Sequence, residues 1–215
     1  MRAAVLGAND GIVSTASLIV GVAAASDDRS VILIAGVAGL VAGAMSMAAG
    51  EYVSVSSQSD TERADLETER QALQEEPEGE LEELTRIYIR RGVDRSLARE
   101  VAVQLTEHDA LGAHARDELG ITETTSAQPV LAAVTSAASF SIGAILPLIA
   151  MMLTPIALAI PVVAATTLAS LALLGTLSAQ AGGAGVLKAA TRVTIWGAIA
   201  MALTAAIGSM VGGIF

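Results

Sequence analysis

The 215-residue sequence has no cysteine and little charge outside one central segment. The lack of cysteine excludes disulfide frameworks, thiolate zinc sites and cysteine nucleophiles. Only four acidic residues lie outside positions 60–123: Asp10, Asp27, Asp28 and Glu51. The net charge of −10 therefore belongs to that segment. Because a nucleic-acid-binding protein needs a basic face, the acidic balance excludes nucleic acid as a partner and favours cations.

Long apolar stretches dominate the rest of the chain, which is 53% hydrophobic with a mean hydropathy of +0.62. Five of them reach the roughly 20 residues that a membrane-spanning helix needs. They cover residues 3–25, 31–55, 129–153, 156–180 and 185–213. They lack the alternation of a transmembrane barrel, and the first carries Asn9-Asp10-Gly11, unlike a cleaved signal peptide. The sequence predicts an all-α integral membrane protein with five transmembrane helices in a lipid bilayer.

A polar insert separates the second and third predicted spans. We expect three parts: residues 1–59 with transmembrane helices 1 and 2, residues 60–127 as a helical cytoplasmic domain, and residues 128–215 with helices 3 to 5. Within the insert, helical spacing predicts a helix that continues the second span to residue 76 and stops at Pro77. Further helices are predicted over 78–91, 95–106 and 109–119, with Asp94 as an N-cap and Gly92 and Gly120 at C-termini.

Lysine and arginine predict the orientation, since positive charge marks the cytoplasmic side of a membrane protein. Eight of the twelve lie in the insert: Arg63, Arg70, Arg86, Arg90, Arg91, Arg95, Arg99 and Arg116. The insert and the N-terminus are therefore expected in the cytoplasm and the C-terminus outside. High alanine content and short loops favour a bacterial protein, hence the plasma membrane.

Two carboxylates lie inside the first two predicted spans. Asp10 is a candidate functional group, because a carboxylate in hydrocarbon is costly; it can also be an N-terminal cap near the interface. Glu51 follows Met47 by four residues, so both share a helix face, with Met45 and Tyr52 nearby. A thioether and a carboxylate on one face suit a borderline cation such as Fe²⁺, although Met47 alone fits ordinary packing equally well.

Small residues recur at four-residue spacing in the same spans, as Gly7-x-x-x-Gly11 and Gly39-x-x-x-Gly43. This spacing permits close contact between membrane helices. Packing within one chain explains most of it, and a homodimer with a pore between its subunits would use the same feature.

Carboxylates in the insert also recur at helical spacing and so share helix faces. The sets are Asp65 with Glu69, Glu76 with Glu80 and Glu83, and His114 with Glu118. Carboxylate oxygens with one imidazole suit Fe²⁺, Mn²⁺ or Zn²⁺. A solvated acidic surface is the alternative, and spacing alone favours that alternative.

Enzyme classes find little support in the sequence. It has no nucleophile triad, no phosphate-binding glycine loop before a lysine, and no paired Glu-x-x-His motif. Without a nucleotide motif, uphill transport must be coupled to ions. A membrane-anchored metal store or sensor, and an iron-using membrane oxidoreductase, are the competing classes. Polar groups within the spans weigh against the first, and the missing Glu-x-x-His pairs weigh against the second.

Two segments resemble the vacuolar iron transporter family. One is GANDGIVSTASL, which begins at Gly7, and the other is AGAMSMAAGEYVSVSSQ, which begins at Ala42. The polar insert and three later spans follow in the expected order, so the resemblance covers nearly the whole chain. It implies a homodimer of five-helix subunits with the pore between them, and a metal-binding cytoplasmic insert. The implied activity is export of Fe²⁺ in exchange for protons, with Mn²⁺, Co²⁺, Ni²⁺ or Zn²⁺ tolerated as substrates; no cofactor is implied.

The resemblance also implies roles for individual residues. The transport pathway is assigned to Asp10, Met47 and the Gly50-Glu51-Tyr52 motif, with Met45 beside it. The insert glutamates correspond to Glu69, Glu80, Glu83 and Glu118.

This chain departs from the family pattern at two places in the insert. It has Ala72 where a further glutamate is expected, and His114-Ala115 where plant-type members carry two methionines. His114 can still ligate and is harder than a thioether, so we expect fewer bound ions or a different metal preference. We also expect a cytoplasmic segment ahead of the first span that this sequence does not include.

Overall fold

The computed structural model describes residues 2–122 and 127–214, with side chains from residue 5 onward. In those ranges the chain is helical and contains no strand. The elements in chain order are α1 (Arg2–Ala25), α2 (Arg29–Glu75), α3 (Pro77–Arg90), α4 (Arg95–Asp117), α5 (Pro129–Leu153), a 3₁₀ turn (Ile156–Leu158), α6 (Ala159–Ala181) and α7 (Val186–Gly212). Within the described residues, α1, α2, α5, α6 and α7 are long and apolar enough to cross a membrane. The all-α class and the five transmembrane helices are confirmed.

The chain divides into two compact units, to both of which α2 contributes. A membrane unit comprises residues 1–52 and 130–215, and an insert unit comprises residues 53–129. The expected insert, residues 60–127, is slightly shorter than this insert unit. Residues 123–126 of the expected insert are not among the described residues. The second span continues without a break into the insert, as its helical spacing predicts.

Helix α1 is the central element of the membrane unit, because it packs against both α6 and α7. Its buried side chains join those of α2, α5, α6 and α7 in one apolar core. That core includes Ile19, Ile32, Met151, Val163 and Met201.

Glycines bring α1 against its neighbours at backbone distance. A Cβ placed on Gly11 would overlap the carbonyl of Phe140 on α5, and one on Gly208 of α7 would overlap the carbonyl of Gly21 on α1. The predicted Gly7-x-x-x-Gly11 spacing therefore serves a helix contact within one chain. On α2, Gly43 leaves space for the ring of Phe140.

The cationic side chain of Arg29, the first residue of α2, caps the C-terminal end of α5. The guanidinium of Arg29 donates to the carbonyls of Met151, Met152 and Thr154 at the end of α5. A cation there satisfies carbonyl groups that have no partner within the helix and opposes the negative end of the helix dipole. The side chain of Asp28 accepts from the backbone N–H of Ser30 at 2.8 Å and caps α2.

The insert unit is held together by a small apolar core between α3 and α4, which includes Leu84, Ile87 and Ala102. The predicted caps are present: the side chain of Asp94 accepts from the N–H of Ser96 at 2.9 Å, and Gly92 has a φ of +94°. The two helices expected over 95–106 and 109–119 form the single element α4, which is interrupted at Asp109 by extended backbone. The carboxylate of Asp109 accepts from the N–H of Gly112, so it starts a new helical segment.

Candidate functional site

Three helices of the insert unit bring four potential metal ligands together. Glu69 lies on α2, Glu80 on α3 and His114 in the last turn of α4, and Glu118 directly follows that helix. One ligand atom from each residue lies within 4.8 Å of the others. We call these four residues the insert cluster.

The distances within the insert cluster suit a bound dication. Nδ1 of His114 is 2.9 Å from Oε1 of Glu69, 2.9 Å from Oε2 of Glu118 and 3.7 Å from Oε2 of Glu80. Two ligand atoms at right angles, each about 2.1 Å from a small divalent ion, are about 3.0 Å apart. The two short distances match that value. A single proton on Nδ1 can serve only one of the two carboxylates, whereas a cation can serve both.

Burial favours either a bound proton or a positive partner at these carboxylates. The side chain of His114 is fully buried, and those of Glu69 and Glu80 are 8% and 15% exposed. Nε2 of His114 has no hydrogen-bond partner among the described residues, and Oε1 of Glu69 competes with Glu118 for the one Nδ1 of His114. Because unpaired buried carboxylates are costly, an ion that ligates them would remove much of that cost.

The electrostatics of the insert cluster follow from this burial. Burial raises the pKa of Glu69, the charge of Glu118 raises it further, and His114 opposes the shift. Burial likewise raises the pKa of Glu80, His114 opposes it, and the charge of Glu83 adds to it. A bound dication would act in the opposite direction and favour the ionised forms.

The chemistry of the donors limits the type of ion. Three carboxylates and one imidazole form a hard to borderline set without sulfur, which suits Fe²⁺, Mn²⁺ or Zn²⁺ better than Cu⁺.

Ion pairs and hydrogen bonds to the buried carboxylate of Asp117 fix the C-terminal end of α4, beside His114 and Glu118. Asp117 precedes Glu118, and its carboxylate accepts from Tyr88 at 2.8 Å and from Arg91 at 2.6 Å, both on α3. Arg116 is 2.8 Å from the same carboxylate. Burial alone would raise the pKa of Asp117, but hydrogen bonds from Arg116, Arg91 and Tyr88 outweigh it and lower the pKa to about 2. Helix α4 is thereby tied to α3, which supplies Glu80.

The other candidate ligands of the insert lie outside the cluster. Asp65 and Glu76 are exposed, and Glu83 is half-buried. Glu83 still acts on the site, because its charge raises the pKa of Glu69 and of Glu80. His114 and Glu118, which share a face by spacing, both belong to the insert cluster. In each of the other two sets only one carboxylate belongs to it, Glu69 in one and Glu80 in the other.

A second polar site lies within the membrane unit. Asp10 and Met47, expected on one pathway, line the same cavity of about 300 Å³. The remaining wall residues are Ser14, Thr15, Leu18, Gly39, Gly43, Ser46 and Phe140. We call this space the membrane cavity.

The remaining pathway candidates do not line the membrane cavity. Glu51 is half-buried, whereas Met45 and Tyr52 are 65% and 48% exposed. Asp10 and Ser14 are themselves exposed, so the cavity opens onto the outer surface of this chain.

Sequence reasoning missed several groups of these two sites. Thr15 and Ser46 of the membrane cavity were not assigned to the pathway, because hydroxyl residues are frequent in all five spans, and Phe140 carries no polar group that would mark it. Asp117 was missed because a carboxylate in an acidic segment carries no signal of burial. The run Arg116-Asp117-Glu118 could have indicated it, since it places a cation directly beside the buried carboxylate.

Comparison with known proteins relates the chain to one family along almost its whole length. A sequence model of the VIT family matches residues 1–209. A vacuolar iron transporter from Acanthamoeba castellanii is 49% identical over 209 residues, which cover 97% of this chain and 77% of that protein. Vacuolar iron transporter homolog 1 from Oryza sativa subsp. japonica is 39% identical over 205 residues, or 95% of this chain and 70% of that protein. Vacuolar iron transporter homolog 4 from Arabidopsis thaliana is 36% identical over 213 residues, or 99% and 84%.

The two histidines of the chain provide a matched test of the insert cluster. We expect His114→Ala to weaken Mn²⁺ or Zn²⁺ binding by roughly 10- to 100-fold, because even the outer partners of metal ligands have effects of that size. His108→Ala should leave affinity unchanged, because His108 is exposed and lies outside the cluster. Isothermal titration of the purified protein measures both. Equal losses in the two variants would contradict the assignment.

The raised pKa values predict how binding depends on pH. A dication binds the ionised carboxylates, so protons displace it at a higher pH than at an ordinary glutamate. Mn²⁺ affinity should fall by roughly tenfold or more between about pH 7.5 and about pH 5.5. The stability of the metal-free protein should depend on pH in the opposite sense and should rise as the pH falls. Groups whose pKa is raised by folding stabilise the fold below their unfolded pKa, and this stability is lost as pH rises through the folded pKa.

Titration at both pH values measures the affinity, with Asp65→Asn as the control. Asp65 is exposed, so its replacement should preserve the pH dependence. Equal Mn²⁺ affinity at the two pH values would contradict the prediction.

Proposed function

Because the chain belongs to the VIT family, we propose that it is a secondary transporter that moves Fe²⁺, and also Mn²⁺, out of the cytosol in exchange for protons. The observation that carries the proposal is the membrane cavity, whose wall contains both the carboxylate of Asp10 and the thioether of Met47. A carboxylate and a thioether together suit a borderline dication. We include Zn²⁺, Co²⁺ and Ni²⁺ as tolerated substrates.

Competition at one carboxylate explains the coupling that we propose. A bound dication favours the ionised form of Asp10, and a proton on Asp10 removes the charge that attracts the dication. Metal and proton therefore exclude each other at this residue. In the low dielectric of the membrane this exclusion is stronger than in water. A proton gradient directed into the cytosol would then drive metal outward.

We propose that the insert cluster collects metal on the cytosolic side. Its buried carboxylates and His114 would bind ions from a dilute cytosolic pool. The ions would then pass by Glu51 and Met47 to Asp10 and leave on the far side as Asp10 is protonated. Met45 and Tyr52 would border this route. In this sequence of steps the metal is substrate throughout, and no cofactor takes part.

A homodimer with the pore between its subunits is part of the proposal. Asp10 and Ser14 are exposed on the surface of the single chain, and an unpaired carboxylate facing lipid is costly. Helix α2 supplies the other wall, and only 11% of its apolar segment is buried, against 44% for α1. A second copy covering this face would remove Asp10 from lipid and enclose the membrane cavity.

We further propose that the N-terminus and insert face the cytosol and that the C-terminus lies outside. The support is the concentration of arginine in the insert. The membrane that we propose is a bacterial plasma membrane, on the basis of alanine content and short loops. The relatives carry the word vacuolar in their names. In either membrane the insert would meet cytosolic metal.

Replacing the membrane carboxylate tests the transport mechanism. In proteoliposomes with a pH gradient, Asp10→Asn should reduce proton-driven Fe²⁺ flux by roughly 100-fold or more, because the amide neither attracts the dication nor exchanges a proton. Asp27→Asn should retain flux, since Asp27 is exposed in the turn between α1 and α2. Crosslinking should give the same dimer for both variants. Full proton-driven flux in Asp10→Asn would remove the mechanism.

The natural absence of cysteine makes the orientation directly testable. Single cysteines at Gln104 in the insert and at Asp27 in the first turn are exposed positions in a cysteine-free chain. In intact cells that carry the chain in the plasma membrane, an impermeant maleimide should label Asp27→Cys. It should label Gln104→Cys only after permeabilisation. The reverse pattern would contradict the orientation.

A further inference from the structure

Thr15 is an unpaired polar group in the wall of the membrane cavity. Its side chain is 1% exposed, and its hydroxyl has no hydrogen-bond partner among the described residues. It lies in the same wall as Asp10 and Met47. An unpaired hydroxyl in such surroundings costs free energy unless a ligand or water satisfies it.

Neighbouring hydroxyls show that this state is not the default for a membrane helix. Many donate to the carbonyl four residues earlier, as Ser14 does to Asp10 at 2.6 Å and Thr166 does to Val162 at 2.8 Å. That bond is the usual way for a serine or threonine to be satisfied within its own helix. Thr15 makes no such bond, so its proton and its lone pairs have no partner among the described residues, although the residue lines the membrane cavity.

We propose that Thr15 is a specificity-determining residue whose hydroxyl oxygen contacts the transported cation, directly or through one water. The proposal rests on the transport function proposed above. The membrane cavity then offers three kinds of donor: the carboxylate of Asp10, the thioether of Met47 and the neutral oxygen of Thr15. A neutral oxygen replaces part of the hydration shell that the ion loses on entry, without adding charge that would retain the ion.

The donor set predicts which ion depends most on Thr15. Mn²⁺ prefers oxygen donors, whereas the softer members of the series tolerate sulfur better. Without the hydroxyl of Thr15, the buried neutral oxygen of the wall is lost, and the other two hydroxyls, those of Ser14 and Ser46, lie at its exposed side. Mn²⁺ transport should therefore lose more than Fe²⁺ transport.

An isosteric pair of variants separates this role from packing. Thr15→Val keeps the shape and removes the oxygen. Thr167→Val is the matched control, because Thr167 on α6 is 2% exposed and also has an unpaired hydroxyl, but it does not line the membrane cavity. Thr15→Ser restores the oxygen. Thermal unfolding in detergent checks that all three variants fold alike.

Initial rates in proteoliposomes give the decisive readout. Thr15→Val should raise the KM for Mn²⁺ by roughly fivefold or more, the size expected for loss of one neutral polar contact, and should lower the ratio of Mn²⁺ to Fe²⁺ flux. Thr15→Ser should recover both values, and Thr167→Val should match the wild type. The proposal is overturned if Thr15→Val keeps the wild-type KM and flux ratio, or if Thr167→Val changes them equally.

A binding measurement keeps this result separate from the transport proposal. Mn²⁺ binding, followed by electron paramagnetic resonance in a His114→Ala background, reports on the membrane cavity with the insert cluster weakened. A wild type without flux would contradict the proposed function alone. In that case, weaker Mn²⁺ binding in the Thr15→Val variant of this background would support the role of Thr15, and unchanged binding would overturn it.

Discussion

The structure depends on one constraint: its candidate ligand carboxylates lie in surroundings that hold little water. At the insert cluster, Glu69 and Glu80 are almost removed from solvent and share the space around one imidazole nitrogen. At the membrane cavity, Asp10 lies in a membrane-spanning helix, where it would face lipid hydrocarbon if nothing else covered it. In both places an ionised carboxylate is costly alone and stable beside a cation. The two sites offer a cation different additional ligands, an imidazole in one and a thioether in the other.

The fold supplies the rigidity that such sites need. In the insert unit, the bonds of Asp117 to Tyr88 and Arg91 tie the end of α4 to α3. The ligands are therefore close together before an ion arrives. In the membrane unit, Gly11 lets α1 approach the backbone of α5, and Gly43 leaves room for the ring of Phe140. Gly43 also lines the membrane cavity, so a small residue that serves helix packing is at the same time part of the cavity wall.

Much of the fold follows from hydropathy and helix-end chemistry, as particular elements show. The spans are predicted to within a few residues, because a helix surrounded by lipid must be apolar over about 20 positions. Pro77, Asp94 and Gly92 mark helix ends through local geometry alone, which needs no tertiary information. The two helices expected over 95–106 and 109–119 leave a gap beside Asp109, and the extended backbone that interrupts α4 lies at that residue.

The candidate sites were predictable only in part, for a physical reason. Helical spacing indicates which residues share a face, but it does not indicate which faces meet. Glu69 and Asp65 are equivalent by spacing, yet only Glu69 reaches the insert cluster. Thr15 and Ser14 are adjacent hydroxyls, and whether each bonds to its own helix depends on neighbours contributed by other helices. Such distinctions arise from tertiary packing.

The central claim is that the folded insert brings Glu69, Glu80, His114 and Glu118 around one dication. Anomalous X-ray scattering from crystals of the full chain soaked in Mn²⁺ tests it most directly. The account predicts a peak within about 2.3 Å of Nδ1 of His114 and of oxygens from the three glutamates. A strong peak elsewhere in the insert with none at these four residues would contradict it.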